Sequence, residues 1–261
     1  MHLLFLLTVY PLWRLWCANF LTSLRYAVYW TFAAWVAWGL LFFGLSFKAD
    51  PEAAQEIRFV ALCLTGCAGV AVLGARRPHA GAWNAVVLGL LAVLLTPWAE
   101  HRMLGTPLVS GLRAWFLGGI LAIAVVNYLP TRFGLAAVLV GIGCTSEFVK
   151  LCDAESFRIG LADPASFCLI LAPWAALVRR VPRTAGPFDA LWLDFRDRYG
   201  LVWGQRVREQ FNASMQHAGI PARLSWGGLV PLPDSPFPDE NQAATARETL
   251  RALLKRFGPK G

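Results

Sequence analysis

Six apolar runs divide the first 178 residues and leave the backbone few ways to fold. The runs are Ala27–Phe47, Phe59–Ala75, Ala82–Trp98, Ala114–Leu129, Phe133–Val149 and Pro164–Val178. A helix needs roughly 20 apolar residues to cross the hydrocarbon of a bilayer. Inside lipid every backbone N–H and C=O must be satisfied within the structure, so such a run forms a helix. The shorter runs borrow flanking residues or sit in thin bilayer. Trp30, Trp83, Trp98 and Trp115 stand near run ends, where amphipathic rings favour the headgroup level. The chain is 57% hydrophobic and 15% charged, whereas a soluble domain carries about 25% charged residues. The sequence predicts an all-α integral membrane protein of about six transmembrane helices, followed by a small, mostly helical cytoplasmic tail.

Residues 1–25 fit this pattern least well. Leu3–Trp13 is apolar but short, contains Pro11 and is followed at once by Arg14. A signal peptide would open on positive charge and close on small residues. A seventh span would bring Arg14 in or near hydrocarbon, which is costly. The favoured expectation is a helix along the interface, with Arg14 and Arg25 reaching the headgroups; an extra span is the alternative.

Loop charges set the orientation. With six spans and both termini on one side, that side receives Arg14, Arg25, Arg76, Arg77, Arg132, Arg179, Arg180 and Arg183, and no acid before the tail helix. The other receives Lys48, Arg58, Arg102, Arg113, Lys150 and Arg158, together with seven acids from Asp50 to Asp163. Lys/Arg excess marks the cytoplasmic side, so the tail is expected in the cytoplasm. The pattern suits a bacterial inner membrane. Asn212-Ala213-Ser214 matches a glycosylation sequon, which would be silent there.

The chain divides into an interfacial segment (1–25), a membrane domain (26–179) and a basic tail (180–261). From Arg179 onward the tail carries 13 Lys+Arg against 8 Asp+Glu, a balance suited to anionic lipid. Gly186-Pro187-Phe188-Asp189 opens a helix, and Gly219 with Pro221 closes it. Leu191, Phe195, Tyr199, Trp203, Val207, Phe211 and Met215 recur every four residues and build one apolar ridge. Asp194 pairs with Arg198 on one face. Gly200 and Gly204 each weaken a helix by about 1 kcal/mol relative to Ala, and would let another backbone come close. Ala222–Trp226 is expected as a short strand. The proline-rich stretch after it is expected to lack regular structure. A last helix runs from about Glu240 to Phe257, with Ala246, Leu250, Leu253, Leu254 and Phe257 on its apolar face. Arg247, Arg251 and Lys255 form its basic ridge, for which a solvated or lipid-facing role is favoured over nucleic acid. A unit this small is near the lower limit for independent folding. It should lean on the membrane, on its own loops or on a partner, and Phe195, Tyr199, Trp203 and Phe211 are its candidate contacts.

Chemistry is sparse. The sequence holds no P-loop, dinucleotide glycine pattern, HExxH or GxSxG. Three residues form a candidate polar site in the spans: Glu147, Lys150 and Asn127. An ionisable group at membrane depth suggests function; the competing reading is that Glu147 and Lys150 pair at the interface and mark a helix end. Asn127 is expected to hydrogen-bond across helices, worth about 1 kcal/mol or less. Cys63 and Cys67, with Ala71 and Ala75, make a small-residue ridge suited to close helix packing. No CxxC occurs among the six cysteines, and no residue set calls for a metal or cofactor. His2, His79, His101 and His217 are expected in loops. The expected partners are the lipid bilayer and a protein met through the tail. The leading expectation is a non-enzymatic subunit or assembly factor of a membrane complex. A small transporter or channel acting as an oligomer stands as the alternative.

Overall fold

The computed structural model describes residues 2–46, 50–76, 80–152, 164–178, 186–233 and 239–258. Phe47, Lys48, Arg77, His79, Arg158, Arg179, Arg180 and Arg183, named above, lie outside the described residues, as do Asp153, Glu155 and Asp163. The described residues are 80% helical. All six apolar runs fall on helices: α3 (Arg25–Ser46), α4 (Pro51–Leu73), α5 (Ala80–Leu104), α6 (Gly111–Val126), α7 (Gly134–Cys152) and α8 (Pro164–Val178), preceded by α1 (His2–Leu7) and α2 (Val9–Asn19). Four of them, α3, α4, α5 and α7, are long and apolar enough to cross a membrane; α6 and α8 are shorter apolar helices. From α3 to α7 successive helices run in opposite directions. The start of α3, the end of α4 and the end of α6 therefore gather at one end of the bundle, which will be called the base.

Helix packing follows the small residues. A Cβ on Gly66 would meet Ile120 Cγ2 at 2.7 Å, and one on Gly69 would collide with Ala124. These glycines let α4 and α6 approach closely. Cys63 and Cys67 are fully buried in the same helix, as the small-residue ridge predicts.

The N-terminal helices lie side by side with α3 and antiparallel to it. Phe5 stacks on Trp35 at 4.9 Å and meets the edge of Phe42 at 5.5 Å, while Trp16 touches Tyr29 and Phe32. α1 and α2 part at Thr8, whose hydroxyl donates to the Phe5 carbonyl and accepts from Trp35 Nε1 at 2.7 Å. Pro11, just beyond, has no N–H to continue the ladder.

The C-terminal unit stands on the base. It comprises α9 (Pro187–His217), β1 (Ala222–Leu224), β2 (Leu229–Pro231) and α10 (Glu240–Leu254). The expectation that residues after Trp226 lack regular structure is corrected by β2. It pairs antiparallel with β1, Ala222 opposite Pro231 and Leu224 opposite Leu229. The Gly227-Gly228 turn permits the hairpin, with Gly228 at φ 147°. Pro231 lacks an N–H and falls at the strand's end, where a ladder tolerates it. Asn212 anchors the hairpin to α9: its Oδ1 accepts from Leu224 N at 2.6 Å, and its Nδ2 donates to Leu224 O at 3.3 Å. α10 opens on a capping box between Asp239 and Gln242, which satisfies two of the orphan N–H groups.

Candidate functional site

The base is organised around a break in α9. Gly200 adopts φ 76°, ψ −167° within an otherwise helical segment. Only glycine enters this region freely. The break frees backbone groups on both sides, and the loop after α6 satisfies them. Asn127 O accepts from Leu201 N at 2.7 Å, and Asn127 Oδ1 accepts from Val202 N at 3.1 Å. Asn127 thus caps the second half of α9 from a distant part of the chain, as an N-cap residue would locally. On the other side of the break, Tyr128 donates its hydroxyl proton to Arg198 O at 3.1 Å. Burial first, and then the Tyr199 hydroxyl nearby, raise the Tyr128 phenol well above its ordinary range, which keeps it a donor. Two more bonds fasten the loop: Arg132 N donates to Asp197 Oδ1 at 3.2 Å, and Trp226 Nε1 donates to Pro130 O at 2.6 Å. Asp197 is only 2% exposed and also receives Arg196 Nη2 at 2.7 Å. Asn127 therefore bonds across elements, as expected, but to the backbone of the tail helix.

The apolar ridge of α9 is covered by the chain itself. Phe195, Tyr199 and Trp203 surround Phe257, each ring centroid within about 5 Å of it. Trp203 Nε1 donates to Val72 O at 3.2 Å. Tyr199 donates to Phe257 O at 2.9 Å, and Ser23, its oxygen 3.0 Å from the Tyr199 hydroxyl, donates to Ala75 O at 2.7 Å. Phe211 is fully buried against Phe188. Of the three possible supports for the tail, its own loops are the ones these side chains touch. Trp192, off the expected ridge, is also fully buried, against Trp226 of the hairpin turn, with its Nε1 donating to Trp226 O. On α10, Arg251 and Lys255 are exposed and Arg247 half-buried. Replacing Trp203 and Phe211 together by Asp will place two charges in this core. Protease will then remove the tail while the spans stay inserted; an equally resistant tail in the double variant would contradict the packing.

At the opposite end, acids and bases tie the helices together. Glu147 is 2% exposed and meets Arg58 Nε of α4 at 2.6 Å and Lys150 Nζ of its own helix at 2.5 Å. Arg102 Nε lies 2.6 Å from Glu56 Oε1, and Arg113 meets Glu100 at 2.6 Å. The structure thus joins Glu147 to Lys150, as the spacing suggests, and adds Arg58. Asn127 lies at the base, away from both, so the three candidate polar residues form two separate groups.

His101 is placed in the last turn of α5, where a loop was expected, and His217 ends α9. His101 Nδ1 lies 2.6 Å from Thr106 O, which makes it the protonated nitrogen. Ligand atoms of Glu52, Glu56 and His101 lie within 4.8 Å of one another. Arg102 already supplies a cation to Glu56, and Glu52 is largely exposed.

A cavity of about 790 Å³ lies in the centre of the bundle, between α2, α3, α4, α6, α7 and α8. Its wall is apolar over most of its extent, with Trp38, Leu121, Val140 and Ala172 among its residues, and its charged lining residues are Arg14, Arg132 and Arg198. Sequence reading misses it, because residues from six helices share no common spacing. No protein-family model matches this chain, and neither curated proteins nor solved structures include one significantly similar to it.

Proposed function

We propose that the protein is a bacterial inner-membrane protein with its C-terminal unit in the cytoplasm. It acts there as a non-enzymatic subunit or assembly factor of a membrane complex. Among the described residues up to Val178, the base carries Arg14, Arg25, Arg76 and Arg132 and no acid. The opposite end carries four basic residues against five acids. That asymmetry supports a cytoplasmic base. α3 to α8 serve as six spans, and α1–α2 enters the bilayer beside α3. Arg14 then lies midway along α2, about 7.5 Å from its base end, a distance its long stem helps to span toward the headgroups.

The fixed join between spans and tail carries the subunit reading. Loop 127–132 plugs the break of α9, and ion pairs lock α4 to α5 and α7. This favours a platform over a protein that alternates between two arrangements. The faces left for a partner are the exposed basic side of α10, with Arg251 and Lys255, and the outer row of α6, where Leu112 and Trp115 are 86% and 81% exposed. Native mass spectrometry of complexes drawn gently from the source membrane is the test. A stoichiometric second protein is expected. A lone monomer or homo-oligomer would overturn the subunit reading in favour of a small transporter, the reading to which the central cavity lends weight.

A further inference from the structure

We propose that the central cavity is a binding site for one anionic phospholipid of the leaflet nearest the base. Its headgroup lies at Arg14, Arg132 and Arg198, and its acyl chains lie along the apolar wall.

Three observations converge on this ligand. The first is size and depth. Ligand sites run to about 300–1,000 Å³, and this cavity measures about 790 Å³. Its wall includes Leu24 near the base and Trp38 deep in α3. That separation is about 20 Å at 1.5 Å rise per residue, more than one leaflet's share of a hydrocarbon core about 30 Å thick. Protein interiors are close-packed, so an apolar space this large between helices suits acyl chains.

The second is charge. Among the described residues no Asp or Glu lines the cavity, whereas three arginines do. Arg14 has no acidic partner among the described residues. Arg132 shares Asp197 with Arg196, at 3.7 Å against 2.7 Å. Arg198 is held by Asp194 at 3.0 Å and leans on Ala18 O, which fixes it at the mouth. The balance favours a phosphate, which guanidinium groups bind through charge-assisted bonds.

The third is unmet hydrogen bonding. Asn19 is 5% exposed, lines the cavity, and has a buried Oδ1 without a donor; Arg132 Nε, also on the wall, is buried without a hydrogen bond, its nearest carboxylate oxygen, Asp197 Oδ2, standing 3.7 Å away. A phosphate oxygen fits the second and a headgroup hydroxyl the first. Orphan groups of this kind call for a polar partner. Phosphatidylglycerol carries both chemistries and is the probe of choice.

The full chain, purified in detergent, is titrated with phosphatidylglycerol or with phosphatidylcholine of identical acyl chains, and bound lipid is counted by native mass spectrometry. One phosphatidylglycerol should bind at least about tenfold more tightly than phosphatidylcholine, whose phosphate is accompanied by a quaternary ammonium that the three arginines repel and whose headgroup has no hydroxyl for Asn19 Oδ1. Arg14→Gln should lose that preference and keep the melting temperature of the lipid-free chain. Val140→Trp, which fills the wall, should abolish first-site binding of both lipids. Equal affinity for the two lipids in the parent chain, or unchanged binding to Val140→Trp, would overturn the proposal. Should Val140→Trp fail to fold, Ala136→Phe on the same wall replaces it, and Arg14→Gln decides if neither folds. The readout is made on the isolated chain and does not depend on finding a protein partner, so this proposal and the subunit reading fail separately.

Discussion

Replacing Gly200 by Ala will loosen the cytoplasmic unit from the spans, with the larger of the expected effects at the base. The backbone at Gly200, φ 76° and ψ −167°, lies where a side chain is strained whatever the space around it, at a cost of about 1–3 kcal/mol. There is no space either: a Cβ there would lie 2.7 Å from Asn127 O, and closer to the Asn127 side chain. The Asn127 carbonyl that receives Leu201 N must then move, and the cap on Val202 moves with it. Each such bond contributes about 1 kcal/mol, so the combined loss is a large part of a typical stability of about 5–15 kcal/mol. Limited proteolysis of the full chain in membranes reads the outcome. The Gly200→Ala tail should be cleaved much faster than the parent's. Asn127→Ala should fall between the two, because it loses the side-chain cap but keeps the carbonyl bond. Parent-like resistance in Gly200→Ala would mean that the break is not what seats the tail.

The role of Gly200 shows where sequence reading stopped. A glycine inside a helical pattern announces a weak point and room for a neighbour. It does not announce a positive φ, because that conformation is set by a loop 75 residues upstream of Val202, where Asn127 stands. The same limit applies to the tail ridge. Its four-residue spacing was legible: Phe195, Tyr199, Trp203, Val207, Phe211 and Met215 are all buried, and Leu191 is half-buried. What covers them was not, since Phe257, Val72 and Ser23 come from three distant places in the chain. Local signals carried through without loss. Asp194 meets Arg198 at 3.0 Å, four residues on, and the last helix begins at Glu240 behind its capping box. β2 was hidden by prolines, which argue against a strand but tolerate its end. The apolar runs predicted helices well because the bilayer constraint acts on each run by itself. The cavity depends on how α2, α3, α4, α6, α7 and α8 pack together, and no single run records it.

Glu147→Gln will lower the melting temperature of the purified chain and its level in the membrane. From the sequence, an interfacial Glu147 would tolerate Gln without loss. The structure changes that expectation, because Arg58 and Lys150, only 12% and 11% exposed, both turn to this carboxylate. Removing its charge leaves the Arg58 guanidinium in a poorly solvated place facing a neutral acceptor. Breaking a buried pair in this way costs about 3–5 kcal/mol. The direction follows from desolvation: Arg58 loses its counter-charge but not its burial. Replacing Glu147, Arg58 and Lys150 together by Met separates this from a functional role, since it removes the carboxylate together with both cations that meet it. The triple variant should recover most of the stability lost by Glu147→Gln. If Glu147→Gln instead matches the parent in stability while the process served by the protein fails, the carboxylate is acting on something other than Arg58 and Lys150. The transporter reading would then gain over the subunit reading, because an acid that can be spared by the fold and not by the function is one that meets a substrate.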